Sequence, residues 1–216
     1  MKQKILGISG SPVKKGNVEF FLNYMMEHAE SKGAETEILN LSRLRIDDCV
    51  HCNYCIKKQK EGKYCAQNDD GQEVFEKIES ADILVLSSPV YFLRTSARMA
   101  ALLDRLRVFV FGNLSKGKMK NKIGVSSAVA WARNSGLETT HLTHLFGFLT
   151  LEMIPVSVHH CVSPLGASAV SSPSGMGLFD KDVRIGVEDD LAGQHSGVAM
   201  IDRALELSKL ITQRPD

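Results

Sequence analysis

At 216 residues the chain is long for one minimal α/β domain and short for two, which points to a single domain over residues 1–216 with elaborated loops. Lys and Arg number 26 against 25 Asp and Glu, so a formal net charge of +1 gives no global attraction for nucleic acid or an acidic membrane surface. No apolar run approaches the roughly 20 residues of a spanning helix and Met1 leads straight into a strand, so the expected location is the cytoplasm and the expected partner a small molecule or another protein.

Ile5 to Ile8 is a short apolar run beside glycine, as in a buried parallel strand, and it breaks into a loop of small residues. Ser9, Ser11 and Asn17 bring hydroxyl and amide groups to flexible backbone at Gly16. A helix opening near Asn17 aims its free N–H groups and positive end at that loop, an arrangement that suits a phosphate monoester. The loop has no G-x-G-x-x-G, no Walker lysine and no clear ribose-binding acid about twenty residues on, so FMN is expected ahead of a dinucleotide or nucleoside triphosphate. The alternative is an ordinary strand-to-helix turn that binds nothing.

Val18 to Lys32 has helical spacing, with Phe20, Phe21, Tyr24, Met25 and Ala29 on the apolar side and Gly33 as its cap. Glu35 to Leu41 alternates as an outer strand, and regular patterning then lapses over 42–68. Asp69 and Asp70 precede a short helix through Val74, Phe75, Ile78 and Ala81, with an aspartate cap. Asp82 to Ser88 is a buried strand, Ala97 to Val110 a helix, Lys122 to Ala128 a strand, Leu137 to Leu149 a helix, Glu152 to Val158 a fifth strand and Ala192 to Ile211 the last helix. Between the last two lies a Ser-, Gly- and Pro-rich stretch, read as a long loop over 163–190.

Alternating strands and helices specify a doubly wound parallel sheet, and five strands fit the flavodoxin-like order 2-1-3-4-5. Ligands of such sheets sit outside the carboxyl ends of the strands, so the loops beginning at Ser9, Pro89 and Ala128 should converge. Pro89, Val90, Tyr91 and Phe92 offer aromatic surface and backbone donors for a flavin ring, the alternative for Tyr91 and Phe92 being plain core packing. Ala130, Trp131, Arg133 and Gly136 come from the third loop, where Arg133 is either a solvated charge or a cation beside the reduced ring.

Four of the five cysteines follow the spacing Cys49-x2-Cys52-x2-Cys55-x9-Cys65. Three thiolates at short intervals with a distant fourth wrap a cubane [4Fe-4S] cluster. Zinc, with His51 in reach, a disulfide or an empty loop are the alternatives. Cys161, beside His159 and His160, is read as a buried or unreactive thiol. His141 and His144, one turn apart on a helix, are placed at a surface or interface.

Ser9-Gly-Ser-Pro with Gly16 and Asn17, Ser88-Pro-Val-Tyr-Phe with the stretch Ala97 to Asp104-Arg105, and Ser135-Gly-Leu-Glu-Thr-Thr140 together resemble the NADPH-dependent FMN reductase family. The cysteine loop after the second strand makes the chain most similar to its iron-sulfur flavoprotein branch. The resemblance runs from about Lys4 to about Pro155 and implies a flavodoxin-like fold, FMN at the three loops, NAD(P)H as co-substrate and assembly into a homodimer or homotetramer through contacts that include 42–68. Val13 and Val18 stand where the family often has arginine and a hydroxyl residue, Leu93 where a small residue is common, and Ala130 and Trp131 where paired glycines are common. The phosphate grip therefore falls to Ser9, Ser11, Asn17 and backbone N–H groups.

Two functions follow. The first carries electrons between a ferredoxin-like donor, a cluster and FMN. The second is an NAD(P)H-dependent reductase of FMN, quinone or another small acceptor with no working cluster. A flavin-binding module without turnover is a third reading.

Overall fold

A computed structural model describes residues 2–212. In chain order the strands are β1 (Lys4–Ser9), β2 (Glu35–Asn40), β3 (Ile83–Pro89), β4 (Ile123–Ala130), β5 (Ile154–Pro155) and β6 (Ala167–Val170). All pair in parallel, in the order β2-β1-β3-β4-β5 with β6 also on β4. The expected order 2-1-3-4-5 is therefore present.

The helices are α1 (Asn17–Ser31), α2 (Tyr54–Lys57), α3 (Gly71–Ser80), α4 (Ala97–Arg105), α5 (Arg107–Phe111), α6 (Leu137–Thr150) and α7 (Leu191–Thr212). Alternate residues of a strand face opposite sides, so Ile83 and Val85 pack under α1 and α7 while Leu84 and Leu86 pack with α3, α4 and α6. Both layers are closed, and every residue of β3 and β4 is buried. Gly33 ends α1 as expected: at φ +89° its N–H donates to Glu30 O at 2.8 Å, and the Ala34 N–H donates to Ala29 O at 3.1 Å.

Three expectations need correction. The fifth strand is not continuous over 152–158. Its position is shared by β5, which pairs with Ile123 and Gly124, and β6, which pairs with Ser127 to Ala130, while 157–166 leaves the sheet between them. The ladder bonds of the first piece run from the Ile154 N–H to Lys122 O at 2.8 Å and from the Val156 N–H to Gly124 O at 2.9 Å, so Pro155, between them, faces away from β4 and its missing N–H costs no bond. The second piece lies inside the stretch read as a loop, where the Ser168 N–H is held by Ser196 Oγ at 2.9 Å and the Val170 N–H by Asp190 Oδ2 at 2.8 Å.

The helix expected over 97–110 divides at Leu106. Its N–H is shared between Leu102 O and Leu103 O, both at 3.1 Å, which tightens the last turn of α4 before α5 restarts. The cap of α3 comes from Asp69, whose Oδ1 takes the Gly71 N–H at 3.1 Å, while the Asp70 carboxylate accepts from the Arg45 N–H at 2.6 Å. No helix among the described residues is long and apolar enough to cross a membrane.

Candidate functional site

The loops after β1, β3 and β4 meet in one cleft of about 700 Å³, measured out to open solvent. Its first wall is the β1–α1 loop, lined by Ser11, Val13, Lys14, Lys15, Gly16, Asn17 and Val18. Helix geometry leaves the N–H groups of Asn17 and Val18 without an intrahelical acceptor, the first bond of α1 running from the Phe20 N–H to Gly16 O at 2.9 Å. Ser11 Oγ accepts from the Val13 N–H at 3.1 Å. Asn17 Oδ1 accepts from the Val187 N–H at 3.1 Å, so its amide NH2 is the donor left over. Ser9 is fully buried beneath the loop, shaping it through a 3.4 Å contact from the Ser11 N–H, and does not line the cleft.

Pro89, Val90 and Tyr91 form the second wall and Ala130 and Trp131 the third. Ser96 ties the walls together: its Oγ donates to Gly10 O at 2.7 Å and its N–H to Ser88 Oγ at 2.9 Å, while the same Oγ caps α4 at Met99. Lys14, Lys15, Ser171, Arg184 and Ile185 also line the cleft and were not singled out in the sequence. The lysine pair beside Gly16 was a readable signal. Ser171 reaches the site because β6 lies along β4, and Arg184 because the segment it belongs to is tied to Asn17 through the Val187 N–H.

The four clustered cysteines share a second pocket, lined also by Asn53, Gln67, Arg105, Arg107 and Val108. All four are free thiols, which sets the disulfide alternative aside in this structure. Burial pushes the Cys55 thiol up, against the pull of Arg107. Arg107 Nη1 stands 4.0 Å from Cys49 Sγ and 3.0 Å from His51 Nδ1, and its Nη2 is 3.0 Å from Asn53 Oδ1. Among the described residues no three potential ligands already stand at metal-binding spacing, so the thiols share a pocket without forming a closed site. The donor set and the flanking cations fit a negatively charged thiolate-bound cluster.

The sequence profile of the NADPH-dependent FMN reductases matches residues 3–166. The chain belongs to this family. Its relatives place it in the iron-sulfur flavoprotein branch. An iron-sulfur flavoprotein of Methanocaldococcus jannaschii is 35% identical over 206 residues, covering 95% of this chain and 97% of the relative. One of Archaeoglobus fulgidus is 29% identical over 212 residues, covering 95% and 96%. Among solved structures, RosB with bound 8-demethyl-8-formylriboflavin-5'-phosphate matches at a TM-score of 0.74 and 18% identity, covering 99% of this chain and 82% of that one. An apo NADH:FMN oxidoreductase matches at 0.64 and 14%, covering 99% and 92%. At such identities these two likenesses show the fold. As a member of the family, the chain is an FMN-dependent oxidoreductase.

This FMN reductase family member holds Tyr91 and Phe92 outside the core, so the core-packing alternative fails. Tyr91 and Arg94 exchange backbone hydrogen bonds at 2.9 and 3.1 Å across a two-residue turn, Phe92 and Leu93, both at positive φ (49° and 60°). Such turns favour Asn-Gly, and bulky residues there store strain. Thr139 Oγ1 donates to Leu93 O, and Gly136, at φ +97°, allows the Leu93 backbone to lie where a Cβ would be. Phe92 is 98% exposed at the cleft mouth and does not line it. Replacing Phe92 and Leu93 by Asn and Gly should raise unfolding stability by about 1–3 kcal/mol, read from urea midpoints. An unchanged or lower midpoint would show that the turn is not strained.

Arg133 also lies off the cleft. Its Nη2 meets Asp190 Oδ1 at 2.5 Å, the carboxylate that takes the Val170 and Gly193 N–H groups, so its charge locks β6 and the start of α7. His141 and His144 are 0% exposed, against the expectation of a surface or interface role. They sit between α6, β4 and β6. Ser126 Oγ contacts His141 Nδ1 at 2.8 Å and His144 Nδ1 at 2.9 Å, His141 Nε2 meets Ser168 Oγ at 2.8 Å, and His144 Nε2 meets Thr95 Oγ1 at 3.1 Å. Cys161 is half-buried, and burial pushes its thiol up.

Proposed function

We propose that the chain carries electrons between a one-electron protein donor of ferredoxin type and FMN, by way of a [4Fe-4S] cluster on Cys49, Cys52, Cys55 and Cys65. A small-molecule acceptor then takes electrons from the flavin. The observation that carries this reading is the single pocket shared by all four thiols, faced by Arg105 and Arg107. Simple hydride transfer from a nicotinamide has no use for four pooled thiolates.

When bound, FMN supplies one- and two-electron chemistry and a [4Fe-4S] cluster one-electron chemistry. The rest falls to side chains. Ser11, Asn17 and the N–H groups of Gly16 and Val18 hold the phosphate, with Ser9 supporting the loop from below. Lys14, Lys15 and Arg184 balance its charge. Pro89, Val90, Tyr91, Ala130 and Trp131 flank the ring, and Trp131 narrows its slot. Phe92, Arg133 and Gly136 act at one remove, through the mouth, the β6 lock and the Leu93 backbone.

Residues 1–216 are one FMN-binding unit in this reading, working in a reducing cytoplasm where the thiols stay free. It assembles as a homodimer or homotetramer. Leu142, Phe146 and Leu149 form an exposed apolar stripe on α6 that supports assembly.

NAD(P)H-dependent reduction is the second reading, favoured by the family profile itself. One anaerobic preparation tests both. Iron, sulfide, zinc and flavin are assayed, light scattering gives the assembly, and reduction by reduced ferredoxin is compared with reduction by NADPH. Iron and sulfide near four per chain with faster reduction by ferredoxin is the expected result. Stoichiometric zinc without iron would overturn the relay in favour of the nicotinamide reading.

A further inference from the structure

Arg105 is a buried charge that the flavin cleft does not use. It is 1% exposed, and both of its terminal nitrogens meet the fully buried carboxylate of Asp69, Nη2 to Oδ1 at 3.0 Å. Nη1 also donates to Asp47 O at 3.2 Å. Nε is buried with no acceptor. A buried ion pair recovers its desolvation cost only when its hydrogen bonds are complete, so one left incomplete is poorly explained as a device for stability.

The surroundings say where the spare donor is useful. The guanidinium lines the pocket of Cys49, Cys52, Cys55 and Cys65 and lies close enough to Cys65 for its charge and N–H groups to act on that sulfur. Gly71 makes room for it: a Cβ there would stand 2.5 Å from Nη2. The Phe75 ring packs 5.3 Å from the guanidinium carbon. Arg105 is thus held in place from three sides, while Arg107 beside Cys49 is half-exposed.

We propose that Arg105 is a positioning residue that sets the reduction potential of the centre held by the four cysteines, through its fixed positive charge and an Nε–H donated to a cysteine sulfur. The proposal rests on the reading of that centre as an iron-sulfur cluster. On accepting one electron from a ferredoxin-type donor the centre gains one negative charge and no proton, so a nearby cation and an N–H···S bond favour the reduced form. Asp69 holds the cation still and cancels part of its field. The two partners of the pair therefore act on the potential in opposite directions, which a purely structural ion pair would not do.

The test is a spectroelectrochemical titration of the anaerobically purified full-length protein, with iron counted for every variant. Arg105→Gln should make the centre at least tenfold harder to reduce at a fixed potential, a midpoint lower by 59 mV or more for one electron. Asp69→Asn should shift the midpoint upward, and Arg105→Lys, which keeps the charge but loses Nε, should fall between wild type and Arg105→Gln. Should Arg105→Gln not fold, the opposite signs expected of Asp69→Asn and Arg105→Lys still decide. Iron-loaded variants whose midpoints stay at the wild-type value, or all move the same way, would overturn this role and leave the cluster reading standing. Wild-type protein without iron would overturn both, and the iron assay alone would show it.

Discussion

Between about pH 7.5 and about pH 5 the protein is expected to lose about 4 kcal/mol of folding stability through two imidazoles. The hydrogen bonds around them form one directed chain. Ser168 Oγ donates to Gly166 O at 3.4 Å and so accepts from His141 Nε2–H. His141 Nδ1 then accepts from Ser126 O–H, Ser126 accepts from His144 Nδ1–H, and His144 Nε2 accepts from Thr95 O–H. Every donor has one acceptor, and both rings are neutral. A proton on either ring would set two donors face to face in a dry site. Burial accordingly pushes His141 down to about 4, and burial with the neighbouring His141 pushes His144 down to about 3.

The sign follows from linkage. The unfolded chain protonates both rings near pH 6.5 and the fold does not, so stability is complete above that pH and falls as pH drops toward the folded values. Two protons at about 1.4 kcal/mol per pH unit each, over about 1.5 pH units, give the figure above. That is a large share of the roughly 5–15 kcal/mol that holds an ordinary domain together. Urea unfolding at both pH values measures it, and equal stabilities would refute the neutral-pair assignment.

Replacing Ser11 and Asn17 together by alanine is expected to weaken FMN binding by two to four orders of magnitude. Each loses a hydrogen bond to a doubly charged phosphate, about 1.5–3 kcal/mol apiece. Asn17 carries a second consequence that its position in the loop did not announce. Its Oδ1 is the acceptor for the Val187 N–H, so alanine also frees the segment that brings Arg184 and Ile185 to the cleft. Fluorescence titration with FMN and with riboflavin separates the effects: riboflavin has no phosphate, so its affinity should fall far less. Undiminished FMN retention would remove the phosphate role of this loop.

The sheet order was legible because β3 opens on the apolar run Ile83 to Leu86 and β4 carries only apolar and small residues, as strands of a parallel sheet buried on both faces do. The divided fifth position was not, since Glu152 to Val158 looks continuous, while Ala167 to Val170 is a small-residue run that becomes a strand through β4, Ser196 and Asp190. His141 and His144 were misread for the same reason. Helical spacing puts them on one face, but only the fold sets Ser126 and Ser168 against it. Phe92 and Leu93 gave no turn signal because they are the wrong residues for the turn they make. The cysteines declared themselves by spacing alone, whereas Arg105 and Arg107 lie far along the chain, on helices that read as ordinary amphipathic ones.

The divided fifth position also grades the sheet by how readily its amides meet solvent. β3 and β4 are buried on both sides and open only when the whole fold opens. β6 is held by four residue pairs on β4 and by side chains at the start of α7, and β5 keeps its own pairs with β4. The least costly openings of the sheet therefore start at the partly buried edge strands β2 and β5, while the buried β6 stays latched. Ser171 follows directly on β6 and its N–H is bonded to Ala130 O at 2.9 Å, so the wall of the candidate cleft that it lines shares the firmness of the sheet's centre.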